Sequence, residues 1–561
     1  MSDREVWAAV SAGNRPPAGS IPAGFSRRTL LAGGAATLGG LALFLAGCGS
    51  GGGATGPGAP AAPSALPGGT PRRGGTFTVG VQSAGDAENL YPGTATYNPD
   101  MLRSFSLFSF LFYPGPRVTP LTPGLALSAD RNENATVWTF TLRPGVTWHD
   151  GKPFTAADVA YNFTTLWADP TSNYSAAFLA GLVDTAKVKV IDATTLEVPL
   201  LTPVAQFPTL LTYFNFGVVQ EGATLESIAS NPIGTGPFKF ESFTPGRQSV
   251  FVRNENYWEE GKPYVDKLVI DSSFTDTTAL TNALIGGQIN ILPSVDLIAA
   301  RQQVATRQFQ VLQSEFFAQQ AMFAMRVDEG PFADVRVRQA FRLLCDRQAL
   351  IDGALAGFGT PNSDVLGPGA QYYASDLVRT PDVEKAKSLL AEAGAAGATF
   401  TLQTTPLGAA FQQAATLFAE QAREAGVDVQ LEVTDAATYF TPAGGVYEKP
   451  FRQNLFQPLT GLTGEMRGFL TKDAPYKDTH WGEQRGGEAA LALIDQAVAE
   501  VDDTKAADLW RQVQQQQFDE GGYLIWADMP YVDAAANNVR GLTATAGLNF
   551  NNWRLCDGWL E

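Results

Sequence analysis

Two histidines, His149 and His480, and three cysteines, Cys48, Cys345 and Cys556, are all that 561 residues offer of these side chains. So few histidines leave little room for a histidine-built metal centre. Three cysteines exclude a disulfide scaffold, an iron–sulfur site and a four-cysteine zinc site. Basic charge is short as well: 39 Lys+Arg stand against 56 Asp+Glu, a net of -17. Phosphate recognition needs clustered Lys and Arg, so nucleic acid is not expected as a partner. Three enzyme signatures are missing too. No GxSxG pentapeptide, no HExxH and no P-loop occurs, and no pair of carboxylates is singled out by spacing. These absences point away from an exported hydrolase and from enzymatic activity in general.

Apolar residues make up 45% and charged residues 17%, so the chain has material for a core and is not globally disordered. At roughly 100–200 residues per domain, its length suggests three domains or two large lobes. The 57 Gly and 35 Pro imply many loops.

The N-terminus reads as an address. Residues 26–48 are SRRTLLAGGAATLGGLALFLAGC. Arg27 and Arg28 form a twin-arginine pair ahead of an uncharged run. Gly33, Gly34, Gly39 and Gly40 dilute that run, and it falls short of the ~20 apolar residues of a comfortable membrane span. It ends at Leu45-Ala46-Gly47-Cys48, which resembles a bacterial lipobox. Cleavage is then expected before Cys48, whose thiol takes the lipid, and the arginine pair fits Tat export. The alternative is a single transmembrane anchor with an accidental cysteine. Residues 48–73 are expected to be a flexible tether, because Gly, Ala, Pro and Ser cannot bury enough surface to offset ordering. The GGGATG within it matches GxGxxG but has no strand before it and no helix after it, so it is not a dinucleotide loop.

The folded body is expected from about Gly74. Thr76–Val81 and Trp138–Leu142 alternate as strands, and Val146 and Trp148 alternate again. Thr155 is placed to cap a helix, with Asp158 three residues on and a stripe of Val159, Phe163 and Leu166. Val337, Ala340, Phe341, Leu344 and Cys345 share one helical face, which makes Cys345 an inert buried thiol. Pro381-Asp382 opens a helix that Gly394 closes. Phe400–Gln403, a helix bearing Phe411, Ala415, Phe418 and Ala422, then Val427–Val433 predict a strand–helix–strand unit and hence a parallel portion of sheet.

The stretches LTPGLALS, WTFTLRPGVTWHDGKPFTAADVAYNF, NPIGTGPFKF, RNENYWEEGKPYVDKLVI, GPFADVRVRQAFRLLCDRQALI and VEKAKSLLAEAG, in this order, resemble the bacterial extracellular solute-binding protein family 5. This is the dipeptide, oligopeptide and nickel-binding group that feeds ABC importers. The resemblance spans roughly residues 75–435. It implies an α/β, type II periplasmic-binding fold: two lobes joined by two crossover strands, with an extra subdomain inserted in lobe one. By position, lobe one takes 74–313 and 527–561, its insertion about 113–215, and lobe two 314–526. The crossovers fall near Gln313–Phe323 and Leu524–Ala534. It implies capture of a peptide or peptide-like solute by hinge closure, with a permease and an ATPase as partners, a monomeric state and no cofactor. Non-peptide solutes such as glycosides or metal chelates, and a sensing lipoprotein without transport, are the alternatives.

In peptide-binding members of this family, a Trp-x-x-Asp-type segment of lobe two supplies a carboxylate to the peptide's ammonium. Aligning on Gly468-Phe469-Leu470 places Leu462 where that Asp would be and Leu459 where the Trp would be. Glu465, three residues on, is the candidate substitute if the loop shifts. Other cleft candidates by position are Tyr97 and Asn98 in the loop after the first strand, and Phe316, Phe317 and Gln319 on the first crossover. His149 is expected to be structural, and His480 is expected to sit as a lone residue in a polar loop. A Cys345–Cys556 disulfide is not expected, since it would bridge the lobes.

Overall fold

The computed structural model describes residues 62–561 except 116, 117, 175, 316–318, 407, 436–438, 440–445, 458, 459, 472, 473, 475, 476, 485, 486, 545 and 546. The signal segment and Cys48 therefore lie outside the described residues. No described helix is long and apolar enough to cross a membrane.

Lobe one is built on a seven-stranded mixed sheet. Its central strand, Thr76–Gln82, buries Phe77, Val79 and Val81 and leaves Gln82 exposed, the alternation the sequence predicts. It pairs in parallel with Lys267–Phe274 and with Ile291–Leu292. Gly80 is required there: a Cβ at that position would lie 2.5 Å from Ile289 Cδ1. The predicted strand near Val146–Trp148 is absent; that stretch is a turn with a single bridge from Thr147 to Pro153. Pro144, Gly145 and Gly151 crowd turns too tightly for a strand to propagate.

The inserted subdomain carries a four-stranded antiparallel sheet in the order Ala126–Arg131, Val137–Leu142, Thr195–Pro199, Lys189–Asp192. Trp138, Phe140 and Leu142 bury as expected. Thr155 and Asp158 close the capping box of the helix Ala156–Tyr161, and a π turn, Asn162–Leu166, continues it.

Lobe two holds a five-stranded sheet ordered Asp428–Val433, Thr399–Thr404, Phe451–Phe456, Gln319–Met325, Tyr523–Met529. The first two strands are parallel, with the helix Gly408–Glu424 between them in sequence. Its core collects Phe323, Phe341, Phe400, Phe418 and Phe451. Cys345 is fully buried there, and burial pushes its thiol up to about 12. Both Cys345 and Cys556 are free thiols.

Two segments join the sheets. Gln310–Gln313 in lobe one leads to Gln319–Met325 in lobe two, and Tyr523–Met529 returns to Val532–Ala535. Each pair is antiparallel on its own side of the junction. Ser314 and Tyr531 clasp the two segments: the Ser314 amide donates to Tyr531 O, and the Tyr531 amide donates to Ser314 Oγ, both at 2.9 Å.

The end of the expected tether is not free. Leu66 is buried, and its amide donates to Leu542 O at 2.9 Å. The Gln313 amide donates to Pro63 O at 3.0 Å, and Ser64 Oγ donates to Glu315 at 2.6 Å. One leucine among small residues is enough to seat this strand-like segment beside the junction.

Candidate functional site

The junction between the lobes assembles the polar groups of the candidate cleft. Gln319 opens its strand at the junction, half-buried, and its amide lies 3.4 Å from the Tyr531 hydroxyl. Gln457 donates to the same hydroxyl at 2.8 Å. One strand further in, Asp528 is buried on Tyr523–Met529. Its carboxylate accepts from Asn362 Nδ2 at 2.9 and 3.0 Å and from Gln320 Nε2 at 3.2 Å. Burial nevertheless pushes Asp528 up to about 7.

The second acid is Glu465, on the helix Gly461–Phe469. It is 2% exposed, and neither carboxylate oxygen has a hydrogen-bond partner among the described residues. Burial first, and then the charge of Asp528, raise it to about 8. Glu465 also bears electrostatically on the Tyr373 and Tyr523 phenols, which burial already pushes up. Two acids share one poorly solvated region, and among the described residues no arginine or lysine acts on either carboxyl. An ionised carboxylate left this way costs several kcal/mol unless something positive arrives.

The helix that carries Glu465 is wedged between lobe two and the inserted subdomain. Gly464 and Gly468 let the subdomain come close: a Cβ on Gly464 would sit 3.1 Å from Leu210 Cδ2, and one on Gly468 2.9 Å from Phe178 Cε1. Gln206 donates to Gln371 at 3.1 Å, and the Ala205 amide donates to Val498 O at 2.8 Å. The lobes are thus in contact along this side, with the polar junction behind it.

The sequence candidates distribute unevenly over this arrangement. Leu462 is fully buried, and a Cβ on Gly367 would lie 2.5 Å from its Cδ2, so it packs against lobe two's own loop. Glu465 and Gln319 belong to elements that flank the junction. Tyr97 ends the loop after the first strand, and Asn98 lies just past it. Tyr97 caps the helix Asn98–Leu107 and Asn98 opens it, with Pro99 in the first turn setting its start. Both are exposed, and no hydrogen bond joins them to Gln319, Leu462 or Glu465 among the described residues. Phe316, Phe317 and Leu459 lie outside the described residues. Asp528, Tyr531, Gln457 and Asn362 were missed by sequence reasoning. A signal existed for one of them: Asp528 interrupts the apolar run Tyr-Leu-Ile-Trp-Ala, and an acid inside a buried strand calls for a reason.

His149 is structural. Its Nδ1 accepts from the Gly234 amide at 3.2 Å, and its Nε2 lies 3.0 Å from Gly236 O, so the neutral ring is fully used. Burial pushes it down to about 4.

Two α/β lobes, two connecting strands and a polar junction between them define a binding protein of the type II periplasmic class. Residues 120–454 match the family described as bacterial extracellular solute-binding proteins, family 5 Middle. The chain belongs to that family, the exported solute-binding components of ABC importers, whose partners are a small solute and a membrane permease. It is 25% identical over 412 residues to the glutathione-binding protein of Salmonella typhimurium, covering 72% of this chain and 78% of that one. It is 28% identical over 433 residues to the nickel-binding periplasmic protein of Escherichia coli, covering 72% and 80%. In fold it is similar to the substrate-binding protein CtaP of Listeria monocytogenes, with a TM-score of 0.75 at 23% identity, covering 87% of this chain and all of that one.

Proposed function

We propose that this protein is a lipid-anchored receptor that captures a peptide or peptide-like solute carrying a free cationic end and delivers it to an ABC permease without chemical turnover. The observation that carries this reading is the buried, unpartnered carboxylate of Glu465 beside Asp528. An ammonium is a compact donor of three hydrogen bonds and supplies the charge the region lacks. The apolar Leu462, standing where the family's amine-pairing Asp is expected, argues by itself for blocked or uncharged ligands. Burial of an orphan acid three residues later, one helical turn along, favours the opposite. The glutathione-binding relative is in keeping with a peptide-like ligand, and the nickel-binding relative keeps a metal chelate as the second reading.

Native mass spectrometry of protein purified without refolding identifies the carried-over solute. Calorimetry on matched peptides, one with a free amine and one N-acetylated, then tests the anchor. Acetylation is expected to cost about 2 kcal/mol or more, the scale of removing one partner of a buried charge pair. Equal affinities would leave Glu465 without a role in recognition.

The anchor to the membrane rests on the Leu-Ala-Gly-Cys run ending at Cys48. Cys48→Ser is expected to abolish acylation and to leave the protein either unprocessed or released from the membrane. Detergent partitioning reads this directly; a processed variant that still enters the detergent phase would rule out the lipid.

A further inference from the structure

The two histidines of the chain differ in one chemical respect. His149 faces one donor and one acceptor, which suits a neutral ring. His480 faces acceptors on both sides. Its Nε2 lies 3.2 Å from the carbonyl oxygen of Tyr447, and its Nδ1 lies 2.8 Å from Glu483 Oε2 and 4.0 Å from Asp328 Oδ2. Neither a carbonyl nor a carboxylate donates, so a neutral ring with Nε2–H on Tyr447 turns its Nδ1 lone pair to negative oxygen, and a cation at Nδ1, a proton or a metal ion, satisfies both sides. The ring is 8% exposed, and its backbone is held in the left-handed region at φ 54°. The sequence expectation of a lone histidine in a polar loop therefore does not hold; the fold brings two carboxylates to it.

Charge around the ring is unbalanced in the same direction. The groups facing it come from three segments. Arg326, Asp328 and Glu329 come from the end of a lobe-two strand, Glu448 from the turn Val446–Glu448 before the strand Phe451–Phe456, and Lys477 and Glu483 from its own loop. With the ring neutral, four acids face two cations. Arg326 grips Asp328 through two nitrogens at 2.8 and 3.0 Å and also reaches Glu448 at 2.9 Å, so it is spread over several acids. Glu483 is shared too: its Oε1 lies 3.1 Å from Lys477 Nζ, which leaves Oε2 turned to Nδ1.

The geometry points to a divalent transition-metal site formed by His480 Nδ1, Glu483 and Asp328 on lobe two, apart from the acids of the interlobe junction. The three ligand atoms lie within 4.8 Å of one another. Zinc binds nitrogen and carboxylate oxygen at about 2.0–2.2 Å, so two ligands of one ion stand at most about 4.3 Å apart. Both distances from Nδ1 already meet that limit, and a small shift of one carboxylate closes the third. The carbonyl of Tyr447 on Nε2 is the orienting contact that metal-bound imidazoles use. A nitrogen donor with two carboxylates selects zinc, nickel or copper over calcium or magnesium. Binding needs the lone pair free, so the metal displaces any Nδ1 proton into solvent.

The test is calorimetric titration of the full chain with Zn²⁺ alone at pH 7.5, where one ion is expected to bind. His480→Ala is expected to weaken binding at least tenfold. If that variant does not fold, Glu483→Gln and Asp328→Asn, which alter more exposed side chains, carry the same expectation. Co²⁺ in place of zinc should give visible ligand-field bands with no sulfur-to-metal charge-transfer band, which separates this site from binding at Cys48. Zinc affinity unchanged in these variants would overturn the assignment. So would the absence of zinc binding together with a nuclear magnetic resonance signal showing Nδ1 protonated, the result of an imidazolium ion pair alone.

Discussion

Asp364→Asn is expected to destabilise the protein by about 3–5 kcal/mol, the range for leaving buried charges without their partner. Asp364 is fully buried and stands among arginines: Arg347 at 2.7 Å, Arg379 at 2.6 Å and Arg342 at 3.9 Å. Burial pushes its carboxyl up, and the guanidinium groups of Arg347, Arg379 and Arg342 outweigh that and hold it below the usual range. A group held low in the fold contributes stability above its unfolded pKa and loses it only as pH falls through the folded value. The contribution is therefore complete at neutral pH. Asparagine keeps the size and removes the charge, leaving three guanidinium groups with carbonyl partners only. Those carbonyls matter in turn. Arg342 and Arg347 donate to Phe518, Gly521, Tyr523 and Ile525, the end of the helix Asp503–Glu520 and the start of the strand Tyr523–Met529. That strand bears Asp528, so loss of the hub should also weaken solute binding. Thermal melting is expected to fall by about 3–5 °C. Asp376→Asn serves as the control: it breaks an exposed pair with Arg511 and should cost no more than about 1 kcal/mol. Equal melting of the two variants would remove Asp364 from this role.

Nothing in the local sequence announces that hub, although most of the elements around it are legible. The apolar stripe of Val337, Ala340, Phe341 and Leu344 appears as the helix Val335–Leu344, and Asp346 accepts from the Ala349 amide as an N-cap should. Asp382 caps the next helix in the same way, and Gly394 takes the left-handed turn expected of it, at φ 69°. These features are local: a cap, a stripe and a turn each need fewer than ten residues. Arg342, Arg347, Asp364 and Arg379 meet through loops whose course depends on the packed sheet. Pattern reading sees Arg342 and Arg347 as surface charges on amphipathic helices. The same limit hides Asp528, 63 positions from Glu465 and brought to it by the crossover; Glu465 itself is reached through the family resemblance alone. It also hides the start of the helix at Asn98, where a proline-led first turn comes sooner than the hydrophobic period shows.

On the proposed function, a fold that holds one acid between several bases and leaves another without a base among the described residues keeps stability and recognition in separate places. Asp364 lies where lobe two is fixed. Glu465 lies on the helix that meets the inserted subdomain, where the lobes touch. Natural sequences commonly accept a locally unfavourable group at a binding site, because the ligand completes it.

That view makes Glu465→Gln a substitution with two opposite effects. Glu465 is raised to about 8 in the fold, against an ordinary value near 4.5. For an acid raised on folding, the charged form is disfavoured in the native state. There is no penalty below the unfolded pKa; it grows as pH rises from about 4.5 and is complete above about 8. Each unit of such a shift is worth roughly 1.4 kcal/mol, so the penalty reaches a few kcal/mol. Glutamine has the shape of the protonated acid and carries no charge. The ligand-free variant is therefore expected to match the natural protein at pH 5 and to exceed its stability by a few kcal/mol at pH 8.5, as read by urea denaturation at both values. Binding should move the other way. With the carboxylate gone, a free-amine solute is expected to lose about 2 kcal/mol or more, roughly thirtyfold in affinity, while its acetylated counterpart loses little. Binding of the amine to the natural protein at pH 7 should also release a proton, because the cation draws Glu465 into its ionised form; calorimetry in buffers of different ionisation enthalpy measures it. A glutamine variant that is no more stable at pH 8.5, or that holds the free amine as tightly as before, would show that Glu465 is neither strained in the empty protein nor relieved by the solute.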